Sequence, residues 1–289
     1  MNKEQKFINI IKNAIPKNLI GDDCAYLKDY NLAFSQDTLI EDVHFKLDFM
    51  TPYEIAKKAL IVNISDIIGY GAIPKYYSVS LSGKLDEKFV EEFYKGLNEI
   101  GKEYDLMLLG GDLTYSEKIT ISICIIGDCK NRNISSLKNA KNGYVIAAKG
   151  NFGYSKKGLE ELFSGIKKSK YIEIHKCPIL EYDTALTISS TCKYPYAMCD
   201  SSDGLYMSLY KIAKESNVKL NIMSSKILND ELDKDYILYG EEDYSLVICL
   251  NEDDFHNIPA LKLIGYVEEG SGVYLDNQKL KFQSFEHFS

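Results

Sequence analysis

The sequence predicts an α+β fold in two domains. Strand-like and helix-like segments mix in both halves without strict βαβ alternation or a tandem repeat, and 289 residues exceed what one core usually supports. The run DCKNRNISSLKNAKNG at 128–143 has turn composition and no apolar periodicity, which separates residues 1–133 from 134–289.

The elements follow in order. Phe7, Ile10, Ile11, Ala14 and Ile15 share one helical face at the N-terminus. A turn at GDDCA leads into the alternating strand NLAFSQDTL, and TPYEIAKKALIVNISDIIGYGA reads as a long helix opened by Thr51 and Pro52. The strand YYSVSLSG follows. Next, DEKFVEEFYKGLNEIGKEY sets Phe89, Phe93, Leu97 and Ile100 on one helical face, and DLMLLGGDLT leads to the alternating strand KITISICIIG. In the second half YVIAAKG is a buried strand, YSKKGLEELFSGIKKS a helix and CPILEYDTALTISST a further helix. The segment YAMCDSSDGLYMSLYKIAKESNVKLNIM reads as strand, tight turn, helix and strand, YGEEDYSLVICL as a turn into a strand, and the tail as short strands.

Composition narrows the function. A hydrophobic fraction of 45% is ample for a core, while the net charge of −8 without a basic stripe argues against nucleic acid as a partner. Seven cysteines without a C-x-x-C pair suit reduced, buried thiols. No signal peptide and no apolar run of roughly 18 residues is present, so a soluble, cytoplasmic protein with no membrane partner is expected.

Carboxylates stand at element ends and turns: Asp22 and Asp23, Asp37, Asp66, Asp112, Asp200 and Asp203, and the run Glu241, Glu242 and Asp243. Taken singly, each reads as a turn former or helix cap. Asp66 resists that reading, because Ile64, Ile67 and Ile68 flank it in an apolar helix where an unpartnered carboxylate is costly, and Lys57 and Lys58 lie over two turns away. Asn63, one turn earlier, adds a further oxygen. If these carboxylates converge, their mutual repulsion calls for cations, and all-oxygen ligands point to several Mg²⁺ ions shared with phosphate oxygens. Gly110, Gly111 and Gly204 let backbone approach an anion closely, although neither G-x-x-x-x-G-K-[ST] nor G-x-G-x-x-G occurs.

Taken in order, GDDCA, SQDTLIEDVHF, KKALIVNISDIIGYGAIP, LLGGDLT, CDSSDGL and GEEDYSL resemble the thiamine-monophosphate kinase family, within the superfamily of aminoimidazole ribonucleotide synthetase and selenophosphate synthetase. The resemblance runs from about residue 20 to the terminal SFEHF. It implies two α+β domains, a homodimer paired through the N-terminal domains, and a cleft where ATP phosphorylates thiamine monophosphate. By motif it implies Asp23, Ser35, Asp37, Asp66, Asp112, Asp200 and Asp203 as metal ligands, with Asp37, Asp66 and Asp112 most critical; Tyr94, Gly111, Asp112 and Ser202 as ATP contacts; and His44, Glu242 and Phe285 as acceptor contacts. For His44 a turn-capping role competes with donation to the acceptor phosphate. Glu41 and Asp42 read as a solvated turn.

No general base is required, since the nucleophile is a phosphate oxygen with a second pKa of about 6. Departures from the family pattern are Gln36 for a threonine and Leu137 for an arginine at the ATP phosphates, with Lys138 or Arg132 as substitutes. Two alternatives stay open: another ATP-dependent enzyme of the superfamily, and a non-catalytic nucleotide- or metal-binding paralogue.

Overall fold

The computed structural model describes residues 3–283. The first half holds α1 (Lys3–Ala14), β1 (Ala25–Leu27), β2 (Leu32–Ile40), α2 (Pro52–Gly69), β3 (Ile73–Ser82), α3 (Glu87–Glu103), β4 (Met107–Thr114) and β5 (Thr120–Asp128). The second holds β6 (Val145–Lys149), α4 (Tyr154–Phe163), α5 (Lys170–Lys176), α6 (Tyr182–Thr191), β7 (Ala197–Asp200), α7 (Leu205–Ser216), β8 (Lys219–Ile222), α8 (Ser224–Ile227), α9 (Lys234–Tyr239), β9 (Leu246–Leu250), α10 (Glu252–His256), β10 (Lys262–Glu268), β11 (Gly272–Leu275) and β12 (Gln278–Lys279). The mixed α+β class is as expected.

β1 to β5 form one sheet in the order β1-β2-β5-β3-β4, and β6 to β12 form a second in the order β12-β11-β8-β10-β6-β9-β7. Alternation along β5 sends Ile121, Ile123 and Ile125 inward, while Ser122, Cys124 and Ile126 stay half-exposed on the outer face. β9 is buried along its whole length, as a strand covered on both faces must be.

Helix α2 joins the two sheets. Thr51 caps it in a reciprocal pair with Glu54, a device worth about 1 kcal/mol, and Pro52 supplies the first turn. Ile55, Leu60, Ile64, Ile67 and Ile68 bury in a core shared with Val79 and Ile123 of the first sheet and Leu246 and Ile248 of the second. A helix apolar all round is one enclosed on all sides. Gly69 permits the approach to β7, because a Cβ there would lie 3.2 Å from the Asp200 nitrogen. α7 packs in a second core with Ile146, Cys199 and Val247.

Local pattern differs from expectation in several places. α2 ends at Gly69 rather than continuing through Ala72, and the helix from Tyr154 stops at Phe163, after which α5 forms separately. On the expected N-terminal helical face Ile10 in α1 remains 62% exposed, and Ile15 just beyond it 57%. The edge strand β4 is exposed along its entire length.

Candidate active site

Five expected metal positions come from separate segments. Asp23 lies before β1, Asp37 in β2, Asp66 near the end of α2, Asp200 at the end of β7, and Asp203 in the turn before α7. Gly204 makes that turn with φ +89°, and a Cβ there would strike the Gly240 oxygen at 2.6 Å.

Contacts tie several of them together: Ser35 Oγ donates to the Asp23 carbonyl at 3.3 Å and to Asp66 Oδ2, and Lys211 Nζ lies near both Asp203 and Asp23. Burial pushes the Asp37 carboxyl up to about 6, reinforced by Asp23 and Asp203 and opposed by Lys211. Burial likewise lifts Asp200 to about 7, with Asp23 adding and the Ser65 hydroxyl opposing. Asp66 is driven well above the carboxylate range by burial and then by Asp37, Asp200 and Asp23. Asp23 is raised by burial, with Lys211 working against it. Like charges in a desolvated site hold on to protons unless cations arrive.

The partners of Asp66 resolve its place in an apolar helix. Ser35 Oγ donates to Asp66 Oδ2 at 2.5 Å, so the desolvated carboxyl has a hydrogen-bond donor, and the residue as a whole keeps partial exposure. Lys57 and Lys58 pair elsewhere, with Glu99 at 2.9 Å and Glu242 at 3.0 Å. Asn63 Oδ1 accepts the Asp37 N–H at 3.2 Å while its Nδ2 donates to the Ala59 carbonyl at 2.8 Å.

One cation enters the cluster. Lys211 Nζ lies 2.8 Å from Asp203 and 4.0 Å from Asp23. Burial works to lower its pKa, yet Asp23 and Asp203 outweigh that and raise it well above the usual lysine value. Neither substitute for the missing arginine takes this place: Arg132 Nη1 donates to the Leu186 carbonyl at 2.9 Å, and Lys138 is exposed. Leu137 is buried, its N–H donating to Asp22 Oδ1 at 3.0 Å, so Asp22 anchors a loop.

Asp112 stands apart from the other five. Its register partner is Ser80, which aligns through Ser122 with Thr38. Asp112 therefore lies on the opposite sheet face from Asp37 and three strands away, about 14 Å. Gly111 neighbours it, and Tyr94 and Leu108 line a cavity of about 410 Å³ beside the same edge. The expected ATP contacts divide, with Tyr94, Gly111 and Asp112 at β4 and Ser202 beside the carboxylates. Among the described residues no three His, Cys, Asp or Glu side chains are grouped to hold an ion by themselves. Carboxylates are nonetheless the all-oxygen donor chemistry that a hard cation retaining water and sharing phosphate oxygens prefers.

His44 Nδ1 accepts the Ile40 N–H at 3.0 Å, the turn-capping role. Asp42 pairs with Lys46 at 3.2 Å and with Lys118, as expected for a solvated turn. Glu242 meets Lys58, and its N–H donates to the Ser202 carbonyl at 2.7 Å. A cavity of about 360 Å³ lined by Lys156, Asp203, Tyr236, Tyr239, Glu241 and Gln283 opens beside Asp203. Phe285 lies outside the described residues.

Sequence reasoning missed Lys211, Ser65 and the pairing of Lys58. A signal existed for Lys211, since it stands seven residues after Gly204 on α7, two turns along the same face. Nothing local marks Ser65 or Lys58, whose partners are 135 and 184 residues away.

The family model for AIR synthase related protein, N-terminal domain, matches residues 21–129. Thiamine-monophosphate kinase of Aquifex aeolicus (strain VF5) is 32% identical, covering 97% of this chain and 96% of that one. The Bacillus subtilis (strain 168) protein of the same name is 32% identical over 86% and 85%. The solved structure of AaThiL complexed with AMPPCP and TMP matches with a TM-score of 0.90 at 29% identity, covering 100% of this chain and 99% of the other. With such identity along nearly its whole length, the chain belongs to the thiamine-monophosphate kinase family.

Proposed function

We propose that the protein transfers the γ-phosphoryl group of ATP to thiamine monophosphate, giving ADP and thiamine diphosphate. The observation that carries this reading is the convergence of Asp23, Asp37, Asp66, Asp200 and Asp203 with Lys211 beside them. Family membership and the relative solved with AMPPCP and TMP support the choice of donor and acceptor.

Asp23, Asp37, Asp66, Asp200 and Asp203, with Ser35, would hold several Mg²⁺ ions. When bound, these ions would neutralise the triphosphate of ATP, the acceptor's single phosphate and the charge that spreads over the transferring group. The acceptor phosphate, deprotonated above its second pKa of about 6, attacks in line without a general base. His44 is assigned to the acceptor phosphate, and Glu242 and Phe285 to the thiamine rings. The cavity beside Asp203 suits a cationic heterocycle, since Tyr236, Tyr239 and Glu241 line it.

The same reading includes a homodimer. β4 exposes Met107, Leu109 and Leu113, each more than half exposed, on an edge strand that also carries Gly111 and Asp112. A second copy at this edge would bring Asp112, Gly111 and Tyr94 of one chain to the carboxylates of the other. We assign residues 1–133 to metal and ATP binding and dimerisation, 134–289 to completing the site, and the protein to the cytoplasm; no described helix is long and apolar enough to cross a membrane.

Purified protein given ATP, Mg²⁺ and thiamine monophosphate should form thiamine diphosphate. Absence of that product at every substrate concentration would refute the assignment.

A further inference from the structure

Lys58 is 1% exposed, in the middle of α2, and its ammonium donates to Glu242 Oε2 at 3.0 Å across 184 residues. A lysine this deeply buried is tolerated only with a compensating charge. Glu242 in turn occupies the left-handed region with φ +61°, as does Tyr244 at +53°, a conformation non-glycine residues keep only where their surroundings impose it.

The surroundings do impose it. The Glu242 N–H donates to the Ser202 carbonyl at 2.7 Å, and the Ser245 N–H donates to Ser201 Oγ at 3.1 Å. Asp243 between them accepts the N–H groups of Gly153 at 2.5 Å and Ser155 at 3.0 Å. This backbone is fixed to the turn that carries Asp203 and to the start of α4, leaving the Glu242 side chain to be aimed by what it meets. Oε2 meets Lys58, with His175 Nδ1 3.6 Å away and held by Ser155 Oγ at 2.9 Å. Burial, with Lys58 and Lys176 contributing, keeps His175 neutral with a pKa down to about 2, so it brings no competing charge. Oε1 has no hydrogen-bond partner among the described residues.

We propose that Lys58 is a positioning residue for the acceptor: by fixing one oxygen of Glu242 it leaves the other directed at the cationic ring system of thiamine monophosphate. The proposal rests on the kinase reading above. Asp66 lies eight residues further along the same helix, about 12 Å. Helix α2 would thus set the spacing between Asp66 and the Glu242 carboxylate offered to the acceptor's heterocycle.

The test uses full-length K58M and the charge-neutral double variant K58M/E242Q. In K58M the KM for thiamine monophosphate rises about tenfold, while the KM for ATP stays within about twofold and kcat changes less than the acceptor KM. The Tm of K58M falls, because Glu242 loses its buried partner, and the double variant recovers much of it. Its acceptor KM stays raised. A wild-type acceptor KM in K58M, or in a double variant that has regained its Tm, reduces the pair to packing and overturns the proposal. Calorimetric binding of thiamine monophosphate to wild type and K58M separates the two readings. Wild-type protein that binds it without forming product refutes the kinase assignment alone, and equal affinity in both proteins refutes the role of Lys58.

Discussion

Ser65 Oγ donates to Asp200 Oδ2 at 2.5 Å, joining the helix shared by both sheets to the end of β7. Ser65 is fully buried, so this hydroxyl orients a carboxylate that burial and Asp23 push toward protonation. S65A should lower stability by about 1–3 kcal/mol, the cost of leaving a buried charged acceptor short of a donor. It should also lower kcat by about tenfold or more through a misplaced Asp200. Urea titration and steady-state assays check both, and wild-type kcat in S65A would show that Asp200 needs no such support.

Asp37 and Asp66 set function against stability. Their raised pKa values mean that ionisation is resisted in the folded, ligand-free protein. D37N and D66N should each lose more than about a hundredfold in kcat. Each should be more stable than wild type without Mg²⁺ by about 1–3 kcal/mol near neutral pH, since a repelled charge is gone. Near-normal turnover in either variant would refute the metal assignment.

Asp112 gives a prediction about assembly. If its carboxylate serves the partner's cluster, D66N and D112N homodimers are both inactive, but a heterodimer holds one site free of either change. Dissociating and reassociating an equal mixture should restore about a quarter of wild-type activity, from half the dimers having one intact site. Heterodimers seen by native mass spectrometry with no regained activity would show that Asp112 serves its own chain's cluster, and wild-type turnover in the D112N homodimer would place it outside the reaction.

His175 makes stability depend on pH. Folded His175 has its pKa lowered to about 2, whereas the unfolded residue titrates near 6.5, so between these values the unfolded chain binds the extra proton. Stability is therefore fully present above about pH 6.5 and falls as pH drops, with this group contributing up to about 1.4 kcal/mol per pH unit. The groups nearest the ring are Lys58, Lys176, Glu242 and the Ser155 hydroxyl. H175N should flatten the stability–pH curve between pH 6 and 4 as measured by denaturant titration.

Much of this was legible in the sequence because it is local. Thr51, Pro52 and Glu54 mark the start of α2, and Asp23, Asp200 and Asp203 stand at a strand end or in turns as the sequence suggested, whereas Asp37, read as a strand end, lies inside β2, which continues to Ile40. What was not legible depends on strand order and distant pairing. Asp112 follows two glycines as a ligand loop would, yet β4 pairs in parallel with β3 and becomes the edge, which removes it from Asp37. α5 is seven residues whose buried side chains are Ile172 and His175, too short and too mixed for a periodic signal. The Lys58–Glu242 pair spans two segments that no local pattern relates.

The most direct test is phosphorus NMR of the wild-type protein with ATP, thiamine monophosphate and Mg²⁺. Direct transfer predicts thiamine diphosphate and ADP accumulating in equal amounts, without inorganic phosphate, and neither forming with D66N. ADP and inorganic phosphate appearing without thiamine diphosphate would contradict the account.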